Sequence, residues 1–168
     1  TAHESTGLWP PLIAGYESYR KKHGLFPTPL IPTYLAQEGA SRFDLLELDS
    51  PAPKGERKQA LIFLHGFGGN WGLLCFLVAE SVSPFGVDTF CPSTDPFGQW
   101  GRKSGKEILS KTIETIRSQG YQDLYFSGLS AGAIGGGMIL KDFQKEFLGL
   151  LFLYGGHPDA TDVDLPTL

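Results

Sequence analysis

Residues 124–132 read Leu124-Tyr125-Phe126-Ser127-Gly128-Leu129-Ser130-Ala131-Gly132, and the reading of this stretch decides the fold. Leu124 to Gly128 (LYFSG) is an apolar run of strand length, and Ala131 to Phe143 has the composition of a helix. Between them stands Gly-x-Ser-x-Gly. A serine placed there sits on a tight, strained turn, so its hydroxyl projects from the edge of a sheet. The flanking glycines leave room where a side chain would strike neighbouring backbone. The helix that follows aims its N-terminal amides at the same point, which favours developing negative charge. Gly-x-Ser-x-Gly alone is a weak signal; between a buried strand and a helix it is a strong one. A serine N-cap would explain Ser130 without requiring glycine on both sides. The run Gly135-Gly136-Gly137 costs helix propensity, roughly 1 kcal/mol per Gly relative to Ala, which points to close packing of this helix on the sheet.

Working outward, the pattern is regular on both sides. Ala60 to Leu64 (ALIFL) is a continuous apolar run, as expected of a parallel strand buried on both faces. Trp71 to Ser81 reads as a helix, Val87 to Cys91 as a strand, and Lys103 to Gln119 as an amphipathic helix stopped by Gly120. Gly149 to Tyr154 (GLLFLY) is a further strand, and Arg42 to Leu48 precedes the series as another. Repeated strand–helix alternation predicts an α/β fold, a mostly parallel sheet with helices on both faces and right-handed crossovers. Residues 1–168 read as a single domain with its core over 42–156. Residues 1–40, broken by Pro10, Pro11, Pro27, Pro29 and Pro32, read as an irregular N-terminal arm with a short helix around Gly15 to Lys22.

A second motif, Leu64-His65-Gly66-Phe67-Gly68-Gly69, follows the first buried strand directly. With these two motifs in this order the chain resembles the α/β-hydrolases, esterase- and lipase-like serine hydrolases, over about residues 42–156. HGFGG resembles the family's oxyanion turn and GLSAG its nucleophile elbow. The resemblance implies that the backbone N–H groups of Phe67 and Ala131 form an oxyanion hole and that Ser130 forms an acyl-enzyme. It makes His65 a structural residue of the turn. It also implies a histidine and a carboxylate downstream of the serine. In this family the acid usually follows the seventh strand and the histidine the eighth, whereas GLLFLY corresponds to the sixth. His157 is the histidine that follows Ser130, with Asp159 and Asp162 close behind. A loop or subsite residue is the first reading of His157, and catalytic base with Asp159 as acid the second. GLLFLY is apolar on both faces, as a central strand is and an edge strand is not. A missing C-terminal segment or a second chain is therefore expected to pair beside 149–154. The fold is expected to be incomplete on that side.

Composition narrows the function. The net charge of −4 and the short basic cluster Arg20-Lys21-Lys22 give no footprint for nucleic acid. No apolar run approaches the roughly 18 residues of a membrane span. The chain starts at Thr1 without a basic-then-apolar leader, so a signal peptide is expected to have been removed or never to have existed. Cys75 and Cys91 read by default as free buried thiols, with a disulfide as the alternative. Gly66-Phe67-Gly68-Gly69-Asn70-Trp71 begins like a dinucleotide fingerprint but has Trp at the third glycine, and Asp88 falls inside a strand. Neither a cofactor nor a metal is called for. Loops at the carboxyl ends of parallel strands line the site in such folds. Phe67, Trp71, Phe97 and Trp100 are thus candidate walls of an apolar pocket for a small-molecule acyl substrate. Asp95 is either a substrate contact or a turn cap. The reading is a serine hydrolase acting on a carboxylic ester. The alternatives are a peptidase or thioesterase on the same fold, and a non-catalytic hydrolase-like binding protein.

Overall fold

The computed structural model describes residues 13, 14, 17, 21, 41–53, 55, 57–70, 72–158, 165 and 166. The N-terminal arm, with its short predicted helix, lies largely outside them. The elements in chain order are β1 (Leu45–Leu48), β2 (Gln59–Leu64), α1 (Gly72–Val82), β3 (Val87–Pro92), α2 (Lys103–Ser118), β4 (Asp123–Leu129), α3 (Ala131–Phe143) and β5 (Gly149–Leu153). They form one sheet in the order β1-β3-β2-β4-β5. Pairing is parallel from β3 to β5, and β1 runs antiparallel to β3, with Leu45 opposite Pro92 and Leu48 opposite Thr89.

Side chains alternate across β2, and the alternation divides the core. Ile62 and Leu64 point to the side of α2 and α3, where they join Phe90, Leu124 and Phe126 with Ile108, Leu109, Ile113 and Ile116 from α2. Phe63 points the other way, to α1, with Cys75, Phe76, Ala79, Cys91 and Leu48. Right-handed crossovers require this division. The chain moves from β2 to β3 in one direction and returns from β3 past β2 to β4 in the other, so α1 and α2 fall on opposite faces.

Two expectations meet the structure here. Gly136 does mark close packing: a Cβ there would lie 2.5 Å from Phe126 Cζ. The reading of Cys75 and Cys91 as free thiols is corrected, because the two are joined in a disulfide that ties α1 to the end of β3. Sixteen residues separate them in sequence. The register of α1 on the sheet, which no local pattern encodes, is what brings them together.

Candidate active site

β2 and β4 are neighbours, yet the loop after β2 leads to α1 on one face and the turn after β4 leads to α3 on the other. Diverging connections open a crevice at the carboxyl ends of the two strands, the usual ligand position in open α/β sheets. Both motifs fall at this point.

Ser130 occupies the turn between β4 and α3 with φ 51° and ψ −114°. A non-glycine residue held there stores of order 1–3 kcal/mol of strain and needs its surroundings to enforce it. Three of them do. Ser130 N–H donates to the Leu153 carbonyl at 2.9 Å, and Ser130 C=O accepts from Ile134 N–H at 2.9 Å. Gly128 and Gly132 allow backbone to close from either side. A Cβ on Gly128 would lie 2.7 Å from the Gly132 carbonyl carbon, and one on Gly132 would overlap the Leu64 carbonyl oxygen. The Ser130 side chain remains exposed, and Ala131, as first residue of α3, offers an N–H with no acceptor inside the helix.

The turn after β2 lies directly against this elbow. A Cβ on Gly66 would stand 3.0 Å from the Leu129 carbonyl and 3.3 Å from Ser130 Cβ. Gly68 and Gly69 adopt φ 98° and 94°, conformations that suit glycine, and bring the chain round sharply at Phe67. Gly68 N–H donates to the Pro96 carbonyl at 2.7 Å. Gly98, at φ 65°, closes the far side, where a Cβ would lie 3.1 Å from both Ala131 Cβ and the Gly66 carbonyl oxygen.

His65 is buried beneath the turn. Its Nδ1 lies 2.8 Å from the Gly66 carbonyl and its Nε2 accepts from Thr94 N–H at 3.1 Å. An Nε2 that accepts leaves the proton on Nδ1, so the ring is neutral and donates to Gly66. Burial pushes its pKa down to about 4, against smaller opposing contributions from the Gly66 hydrogen bond and Asp95. Both ring nitrogens serve the turn, as expected of a structural residue. Asp95 caps its own loop: Oδ1 accepts from Phe97 N–H at 2.8 Å and Oδ2 from Gln99 N–H at 3.3 Å.

The substrate-wall assignments divide. Phe67 and Phe97 are 73% and 57% exposed, and their rings stand 5.8 Å apart at the mouth of the crevice. Trp100 is corrected: it is fully buried, its Nε1–H donates to the His65 carbonyl at 3.0 Å, and its ring packs edge-on to His65. It supports the turn after β2 from below and presents no face to the crevice. Trp71 and Asp159 lie outside the described residues, as does Asp162. His157 follows β5 in the segment Gly155-Gly156-His157-Pro158 and is half-buried. Among the described residues no histidine is hydrogen-bonded to the Ser130 hydroxyl, and no cluster of ligating side chains that could hold a metal is present among them. Sequence reasoning missed Asn70. It is fully buried, and its Nδ2 donates to the Cys91 carbonyl at 2.9 Å and to Ser93 Oγ at 3.2 Å. An amide in an otherwise apolar stretch at the end of a glycine turn was the available signal.

No family model matches the sequence, and no curated protein matches it either. Solved structures do. Est1E from Butyrivibrio proteoclasticus aligns over 65% of this chain and 46% of its own, with a TM-score of 0.52 at 20% identity. An acetyl xylan esterase from Aspergillus awamori aligns over 68% and 47%, with a TM-score of 0.55 at 14% identity. The mature lipase BlEst2 from Bacillus licheniformis aligns over 65% and 45%, with a TM-score of 0.51 at 13% identity. The chain spans about half the length of these proteins. These likenesses show the fold, which is that of the α/β-hydrolases.

Proposed function

We propose that this chain carries the nucleophilic half of a serine carboxylic-ester hydrolase. The observation that carries the reading is the seating of Ser130. It is a strained, exposed serine at φ 51°, packed against the glycine turn of Gly66 at the point where the strand order reverses. In this reading the Ser130 hydroxyl attacks the ester carbonyl. The carbonyl oxygen becomes an oxyanion held by Phe67 and Ala131 N–H, the alcohol leaves, and water later releases the acid from Ser130. The acyl group lies against Phe67 and Phe97. Structural relatives support an ester: one is an acetyl xylan esterase, and Est1E is also known with ferulic acid bound.

Attack requires a base that takes the hydroxyl proton. His157, with Asp159 as its acid, is the candidate within this sequence. The reading we favour takes the histidine from further polypeptide, downstream or from a second chain, that pairs beside 149–154.

A fluorophosphonate probe tests the nucleophile. Labelling of the native protein is expected at Ser130 and is expected to vanish in Ser130→Ala together with turnover of a p-nitrophenyl ester. Label mapped to Ser93 or Ser127, both fully buried, would overturn the assignment. The oxyanion hole has its own test. Loss of one donor costs on the order of 2.7–4 kcal/mol in the barrier. Because the donor is an amide, Phe67→Ala is expected to hold kcat within about tenfold, whereas Phe67→Pro removes the N–H and the rate with it. A folded Phe67→Pro variant with full activity would place the hole elsewhere.

A further inference from the structure

Several of the ties that hold the turn carrying Phe67 run to one place. His65 at its start accepts from Thr94 N–H, Gly68 in its middle donates to Pro96, and Asn70 at its end donates to Cys91 and Ser93. These partners lie in residues 91–96, the end of β3 and the loop that leaves it. Gly98, two residues on, lies against both the Gly66 carbonyl and Ala131 Cβ. The loop after β3 is therefore a template on which both halves of the oxyanion hole are laid.

Within this set Asn70 is unlike the rest. Its side chain is the last tie before α1, and it is fully buried. The group facing the Cys91 carbonyl must be the NH2, since two carbonyl oxygens would repel, so the orientation of the amide is settled by its partner. The same NH2 reaches Ser93 Oγ. Its Oδ1 then faces the interior and meets no donor among the described residues. Burying an amide oxygen in this way costs roughly 1–3 kcal/mol, and a leucine of similar volume would carry no such cost. The sequence retains a residue that is poor for burial at the position where only a two-handed donor joins the turn to β3.

We propose that Asn70 is a positioning residue of the oxyanion hole, acting through the turn to fix the Phe67 N–H against Ser130. This rests on the hydrolase reading above. An amide displaced by a fraction of an ångström still binds substrate but loses much of its hold on the transition state.

The experiment compares Asn70→Leu and Asn70→Asp with wild type, using Tyr121→Phe as control. Tyr121 donates to Asp88 at 2.6 Å through its hydroxyl, so the control also loses one buried hydrogen bond, away from the Ser130 crevice. In the native, active protein both Asn70 variants are expected to lower kcat between about tenfold and 100-fold while KM stays within about twofold. Affinity for an arylboronic acid, whose adduct with Ser130 presents an oxyanion, is expected to fall by the same factor as kcat/KM. Tyr121→Phe is expected to leave all three unchanged. Amide exchange at Gly68 is expected to accelerate in the Asn70 variants and not in the control, a readout that needs no turnover. If the Asn70 variants do not fold, Ser93→Ala removes half of the amide's contacts and decides by the same measurements. Wild-type kcat and boronate affinity in a folded Asn70→Leu, or unchanged Gly68 exchange, would overturn the proposal while leaving the hydrolase reading intact. A wild-type protein that neither turns over esters nor labels at Ser130 would overturn the hydrolase reading instead.

Discussion

At the scale of single residues, the two motifs were legible because glycine leaves a mark in sequence wherever backbone must approach backbone. Gly66, Gly128 and Gly132 all do so here. The role of Trp100 was not legible. An aromatic in a Pro/Gly-rich loop looks like a pocket wall, and only the hydrogen bond from its indole to the His65 carbonyl shows that it points inward. His65 yields a prediction at this scale. Its folded pKa is about 4, and an unfolded histidine titrates near 6.5. Between these values the unfolded chain binds a proton that the folded chain refuses. The contribution of the neutral ring is complete above about pH 6.5, declines as pH falls toward 4, and is lost below it. The shift corresponds to about 3 kcal/mol. Urea unfolding of wild type and His65→Asn across pH 4–7.5 checks this. The difference between the two is expected to shrink toward the acid end, and a constant difference would show that the ring does not titrate in that window.

At the scale of elements, the strands and helices were readable from apolar runs and helical periodicity, with ends shifted by at most three residues, the largest shift being the start of β1 at Leu45 instead of Arg42. The helix expected from Ala131 to Phe143 is found there, and that expected from Trp71 to Ser81 runs over Gly72–Val82. What joins elements was less readable. Cys75 lies on α1 and Cys91 near the end of β3, both without exposed surface. Their bond depends on how α1 packs on the sheet, which a linear pattern does not state. Closing a loop of about 16 residues stabilises by roughly 3 kcal/mol in the chain-entropy account. Cys75→Ala/Cys91→Ala is accordingly expected to unfold at lower urea by about that much, and wild type reduced under denaturing conditions to match it. Identical midpoints for oxidised and reduced wild type would show that the bridge carries no stability. Since Cys91 also receives Asn70 through its carbonyl, the same variant is expected to speed amide exchange at Gly68.

At the scale of the whole molecule, the described residues cover the two faces of the sheet unequally. α2 and α3 lie on one face, while α1 on the other reaches β3 and β1. Beside it lies a groove of about 540 Å³, lined by Leu61, Val87, Tyr125 and Leu151 with Phe85 and Leu148 at its rim. Phe85 and Leu148 are 78% and 51% exposed. The groove borders β5, the last strand of the sheet among the described residues. Leu153 C=O accepts from Ser130 N–H on the β4 side, so by alternation the groups of Leu150 and Phe152 face outward. Leu150 N–H already meets main chain there, donating to the Pro166 carbonyl at 2.9 Å. An apolar strand with an outward edge is a ready template for pairing, and folded proteins cover or charge such edges. The pairing proposed beside 149–154 therefore makes a prediction about Phe152. In the native, active protein its amide is expected to exchange as slowly as those of β4, because an added strand bonds it. In the 168-residue chain alone it is expected to exchange faster by orders of magnitude than Leu150. Mutating the rim separates the two states again: Leu148→Lys is expected to change the stability of the isolated chain by less than about 0.5 kcal/mol and to destabilise the native protein by more. If Phe152 exchanges freely in a protein that turns over esters, no strand covers this edge, and His157 becomes the histidine to test as the base.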